Sequence, residues 1–116
     1  MKSTNSPQSD LLTKHCHPFK PGASPLTAPQ VHQLLGVISA WQSDGKEISK
    51  TFSFKNYYET MAFVNALAYI SHKEDHHPDL LVGYNTCVVK YSSHEVGGLS
   101  ENDFISAAKV DALLPT

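Results

Sequence analysis

Three features of this 116-residue chain predict an α+β fold in which a four-stranded antiparallel sheet carries helices packed on one face. Short runs of alternating apolar and polar residues flank turn-forming dipeptides, longer runs place apolar residues at helical spacing behind capping residues, and the two kinds take turns along the chain. The predicted order is α-β-β-α-β-β-α. At this length the chain is expected to bury one core, so we read a single domain over residues 25–116 behind a flexible N-terminal arm over residues 1–24.

The arm holds Pro7, Pro18 and Pro21, with Pro25 at its edge, among small polar residues without periodicity, which predicts an extended or mobile segment. Order begins near Leu26. Thr27-Ala28-Pro29-Gln30 has the form of a capping box with proline tolerated in the first turn, and Val31, Leu34, Leu35 and Ile38 follow at helical spacing. Trp41-Gln42-Ser43 and the run from Ile48 to Phe54 flank Asp44-Gly45, a dipeptide suited to a tight hairpin turn. Ile48, Phe52 and Phe54 alternate there with Ser49, Thr51 and Ser53, so one face is buried and the other wet.

Asn56 with Glu59 opens a second helix whose apolar face is broad. One row is Tyr57, Met61, Val64 and Ala68, another Phe63, Leu67 and Ile70. Such a helix packs on a sheet with one side and on another subunit with the other, or else sits in a single deep core. Leu80 to Tyr84 and Cys87 to Ser92 form a second hairpin around Asn85, with Cys87, Val89 and Tyr91 on one face. Gly97-Gly98 breaks the pattern, and Ser100 with Asp103 caps a last helix that carries Phe104, Ile105, Ala107, Ala108 and Leu113 to the core. The sheet's other face must then be partly polar or covered by a partner.

Composition removes several function classes. Nine basic residues against eleven acidic ones give a net charge of −2, and every basic residue is lysine. Without arginine, bidentate reading of phosphates or guanine edges is a poor expectation, so no direct nucleic-acid partner is predicted. Cys16 and Cys87 lie far apart and form no CxxC pair, which fits a reducing cytoplasm. The first residues lack the apolar core of a secretory signal, and no later run approaches the ~18 residues needed to span a bilayer. A soluble cytoplasmic protein without membrane attachment is expected.

The chemistry gathers at His72-Lys73-Glu74-Asp75-His76-His77-Pro78, with His94 downstream. Imidazoles titrate nearest neutrality, and the proline steers His77 out of the helical region, which places the paired rings at a helix-to-strand corner. Two imidazoles on opposite sides of a small molecule can take a proton from one atom and supply one to a departing hydroxyl, a pairing suited to dehydration with no metal and no covalent intermediate. Taken alone, His76 and His77 would be a solvated helix end whose charge suits the C-terminal dipole. His72 and His76 share a helix face, yet no HExxH or cysteine pair supplies the further ligands zinc needs, so no metal site is expected. His15-Cys16-His17 has ligand chemistry in a segment read as unordered, which suits adventitious binding only. Asp103 is either a cap or an active-site carboxylate. Trp41, Phe52, Phe54, Tyr84 and Tyr91 read as core or interface rather than as ring-stacking residues.

His72, His76-His77-Pro78, Tyr84, His94 and Asp103 together resemble the signature of the pterin-4a-carbinolamine dehydratase family. Trp41, Phe52-Ser53-Phe54-Lys55-Asn56, Ser93-His94 and Gly98 to Asp103 look like further family segments, so the resemblance spans about residues 20–114. It implies the αββαββα fold and a hydro-lyase that converts 4a-hydroxytetrahydropterin to quinonoid dihydropterin and water, recycling the cofactor spent by aromatic amino-acid hydroxylases. It also implies that His76 and His94 transfer protons, that His77 binds pterin and assists, and that Pro78, Ser93 and Glu95 border the ring. Asp103 would be an acidic support near His94. No bound cofactor is implied, and the assembly would be a homodimer or homotetramer. The alternative is a protein-interaction module, because a mammalian member of the family also acts as a dimerisation cofactor for a homeodomain transcription factor. One departure is His72, where many members carry glutamate; Glu74 and Asp75 differ in helical phase from His76 by ~200° and ~100°, so neither substitutes.

Overall fold

The computed structural model describes residues 7–114, with side chains from Asp10 onward. The helices are α1 (Pro7–Thr13), α2 (Ala28–Leu35), α3 (Tyr57–Glu74) and α4 (Glu101–Asp111). The strands are β1 (Gln42–Ser43), β2 (Ile48–Ser53), β3 (Asp79–Val82) and β4 (Thr86–Tyr91), and a single 3-10 turn, His94–Val96, joins β4 to α4. From α2 onward this is the expected αββαββα order.

The strands form one antiparallel sheet in the order β1-β2-β4-β3. Register sets its two faces: Ile48 pairs with Tyr91, Phe52 with Cys87 and Leu80 with Val89, so these side chains share the core side. Ile48, Phe52, Cys87, Val89 and Tyr91 are buried, whereas Thr51, Ser53, Asp79, Leu81 and Lys90 point out to the exposed face. Trp41 closes the core beyond β2, its ring edge-on to Phe52 at 6.1 Å, and Phe63 of α3 continues the aromatic stack at 4.7 Å from Phe52.

Local chemistry starts α2, α3 and α4 where the sequence predicts. Thr27 and Gln30 form the capping box of α2, and the Asn56 side chain accepts the Glu59 N–H at the start of α3. One stripe of α3, Thr60, Phe63, Leu67 and Glu74, is buried; Tyr58 and Tyr69 face outward. Helix α4 is buried from Asn102 to Ala108 because it is covered from more than one side, which its small residues Ser106, Ala107 and Ala108 permit.

That cover includes a correction. Residues 7–24, expected to be extended or mobile, carry helix α1, whose Leu11 is buried against the core cluster. Lys14 pairs with Glu101 at 2.7 Å, and Lys109 donates to the Leu12 carbonyl at 2.7 Å. The apolar signal of so short a helix is little more than Leu11 and Leu12, too small a sample for periodicity, so its docking is a tertiary event. Residues 1–6 of the expected arm lie outside the described residues. No helix among the described residues is long and apolar enough to cross a membrane.

Candidate active site

The C-terminus of α3 aims the first histidine. Asp75 ends the helix in the left-handed region at φ 52°, a conformation that aspartate tolerates better than most residues. Its N–H bonds to the His72 carbonyl and the N–H of His76 to the Ser71 carbonyl, a Schellman closure that fixes the His76 backbone. His76 and His77, expected to close the helix, therefore lie just beyond it, and Pro78 leads into β3.

The loop after β4 presents the third ring. Ser93 and Gly98 pair through both of their backbone bonds, which closes a small excursion containing His94, Glu95 and Val96. Gly97 turns the chain at φ 78°, and Gly98 packs so tightly that a Cβ there would stand 3.1 Å from Pro25. The Leu26 N–H donates to the Leu99 carbonyl at 2.8 Å and pins the base of this loop.

His76, His77 and His94 line one cleft of about 270 Å³, just below the range of about 300 to 1,000 Å³ usual for small-molecule sites. Ser93 and Glu95 also line it. Asp79 and Lys90, directly paired in the sheet, supply a polar floor with Ser92. Phe19 of the N-terminal segment and Asp75 complete it. These last five were missed: register makes Asp79 and Lys90 neighbours, and nothing local in the sequence announces Phe19.

Asp103 is fully buried behind His76, and its two oxygens serve different partners. Oδ2 accepts the Ser100 N–H at 3.0 Å and the Ser93 hydroxyl at 2.9 Å, which completes the capping box of α4. Oδ1 lies 2.6 Å from His76 Nε2. A carboxylate oxygen accepts, so this contact pairs with the tautomer that carries its hydrogen on Nε2 and its lone pair on Nδ1. The cap of α4 and the contact with His76 are thus the work of one side chain.

Asp103, expected as an acidic support near His94, bonds to the neighbouring Ser93 and to His76, and it stands behind the cleft. Pro78 is likewise absent from the lining and serves the turn into β3. Tyr84 sits in the β3–β4 turn, at the end of β4 remote from the cleft, where its carbonyl accepts the Thr60 hydroxyl. Tyr91 is core as expected, and its buried ring also stacks on His76, with centroids 5.6 Å apart and planes 13° from parallel.

Burial removes two other groups from proton exchange. It raises the Tyr91 phenol well above its ordinary range and pushes the Cys16 thiol up to about 11, so both stay neutral at working pH. Among the described residues, no three histidine, cysteine or acidic side chains converge as a metal site. The His15 ring bonds to Glu74 instead.

Residues 24–113 match the family model described as pterin 4 alpha carbinolamine dehydratase. The chain belongs to the pterin-4a-carbinolamine dehydratase family. Relatives named for this dehydratase include one from Nitrosospira multiformis, 59% identical over 104 residues that cover 90% of this chain and 92% of that protein. Another, from Bdellovibrio bacteriovorus, is 54% identical over 110 residues, covering 91% and 89%. A solved structure from Brucella melitensis, described as a transcriptional coactivator/pterin dehydratase, superposes with a TM-score of 0.75 at 30% identity, over 79% of this chain and all of that one. The family model thus covers the sheet, α2 to α4 and all three cleft histidines and begins after Phe19, whereas the two relatives' matches also run across Phe19.

Proposed function

We propose that this protein dehydrates 4a-hydroxytetrahydropterin to quinonoid dihydropterin and water, regenerating a reduced-pterin cofactor for an aromatic amino-acid hydroxylase. The observation that carries the reading is the convergence of His76, His77 and His94 on one cleft, with His76 held by a buried carboxylate. In the elimination a base removes the proton from the ring nitrogen beside C4a, a carbon–nitrogen double bond forms, and the C4a–oxygen bond breaks as an acid protonates the hydroxyl. His76 is suited to the first transfer, because Asp103 leaves Nδ1 as the unprotonated nitrogen of the neutral ring. His94 is exposed on its 3-10 turn, so it exchanges protons with solvent and can supply the departing hydroxyl. His77 binds the ring and assists, with Ser93 and Glu95 at its border.

Each general acid or base contributes about 10²- to 10⁴-fold. His76→Ala and His94→Ala are each expected to slow turnover of enzymatically generated 4a-hydroxytetrahydropterin by such a factor, measured by stopped flow, with unchanged circular dichroism. Rates like the unsubstituted protein's in both variants would sink the reading.

A second role, as an interaction module, is favoured by the outer face of α3, where Tyr58 and Tyr69 are 84% and 64% exposed three helical turns apart. The simplest occupant is a second copy, in a homodimer or homotetramer. Light scattering of Tyr58→Ala/Tyr69→Ala tests it: an unchanged assembly mass argues against that face.

A further inference from the structure

We infer that the N-terminal segment is a built wall of the catalytic cleft, and that Phe19 is a substrate-positioning residue for the flat pterin ring. The inference rests on the dehydratase reading and gives a role to Phe19, which precedes residues 24–113 of the family-model match although the relatives' matches, over about nine-tenths of the chain, run across it.

Two buried side chains hold the segment in place. Glu74, only 7% exposed at the end of α3, accepts the Cys16 N–H at 2.7 Å and meets the His15 ring at 2.9 Å. Asn102 of α4 reads both backbone groups of His17: its carbonyl oxygen accepts the His17 N–H at 3.2 Å, and its amide donates to the His17 carbonyl at 2.9 Å. A side-chain amide that bonds one residue's N–H and C=O together fixes the direction of the chain as a neighbouring strand would. Two residues further on, Pro18 being the intervening one, the chain delivers Phe19 to the cleft.

The position of Phe19 is what gives the latch a purpose. Phe19 borders the histidine cleft and also an adjoining hollow of about 210 Å³. The two spaces share Phe19, Asp75, His76 and Glu95, so Phe19 stands at their junction. Every other residue lining the main cleft is polar or ionisable, which leaves Phe19 as its one hydrophobic wall among the described residues. A bicyclic heteroaromatic ligand gains from one apolar or aromatic surface beside the polar groups that orient it. The anchor of the segment and the support of the base are moreover consecutive residues of one helix, Asn102 and Asp103, so a single turn of α4 sets the distance between the Phe19 wall and the His76 ring.

The test is a KM-against-kcat split with a chemical rescue. Phe19→Ala removes a partly exposed ring and is expected to raise KM for the carbinolamine about tenfold, with kcat within about threefold. Phe19→Tyr keeps the ring and is expected to restore KM, and melting temperatures of all three proteins should agree. Asn102→Ala should raise KM in the same direction by releasing the segment. If the unsubstituted protein turns over and Phe19→Ala keeps its KM, or if Phe19→Tyr fails to rescue, the positioning role is overturned. A wild-type protein that neither turns over the carbinolamine nor binds an unreactive dihydropterin overturns the dehydratase reading and the wall with it.

Discussion

Asp103 reaches His76 with one carboxylate oxygen, 2.6 Å from Nε2, and caps its own helix with the other. The helix start and the imidazole contact are thereby set by the same group. Ser93 and Ser100 extend the arrangement in one direction: Ser100 accepts the Asn102 N–H, so its hydroxyl is free to donate to Ser93, which donates to Asp103. Oδ2 accepts from Ser93 and Ser100 while Oδ1 faces His76, an arrangement that suits a donor at Nε2.

Asp103→Asn tests this directionality. The amide oxygen can keep the Ser93 and Ser100 bonds, which leaves its NH2 facing His76 Nε2 and forces the ring hydrogen to Nδ1. We expect turnover to fall by about 10²-fold or more, as for other carboxylate-oriented histidines, with the fold retained. The ring's nitrogen NMR shifts should report the switch of tautomer; an unchanged tautomer with unchanged rate would contradict the assignment.

Glu74 makes the docking of the N-terminal segment dependent on pH. Burial by itself pushes its carboxyl up, but the Cys16 N–H, the His15 ring and Lys109 together outweigh burial and hold it below its ordinary value of 4.5. A carboxyl depressed by folding stabilises the folded state at pH above the ordinary value, and that contribution is lost as pH falls from there through the folded value. At neutral pH the protein should therefore melt above Glu74→Gln, and the gap should close as pH is lowered below about 4.5. Melting curves of both proteins from pH 7 to pH 3 check the sign.

Asp111 ties the end of α4 to the sheet. It accepts the Trp41 indole N–H at 3.0 Å and the Lys50 ammonium at 2.9 Å, both partly shielded from water. Asp111→Ala leaves a buried indole donor unpaired, which costs about 1 to 3 kcal/mol. Asp111→Asn, which still offers an acceptor, should lose less. Urea titration measures both, and equal stabilities would remove the tie.

Local signals were enough for much of this protein. The capping pairs Thr27 with Gln30, Asn56 with Glu59 and Ser100 with Asp103 mark helix starts, because each satisfies backbone donors within three residues. The Asp44-Gly45 turn and the alternation through Ile48–Ser53 and Thr86–Tyr91 define the hairpins and their buried faces. His76-His77-Pro78 and His94 could be singled out because their residue types and spacing are visible in one dimension.

What the chain's order of residues determined by itself was where elements begin and end and which faces they bury, since those depend on bonds and periodicities spanning a few positions. Only the tertiary structure decided that Asp103 serves His76, 27 residues away. It also decided that Phe19 enters the cleft through contacts spanning 58 to 85 residues, from Cys16 to Glu74 and from His17 to Asn102. Those pairings carry no periodic trace, because a carboxylate or amide satisfies whichever donor the packed elements bring within 3 Å of it.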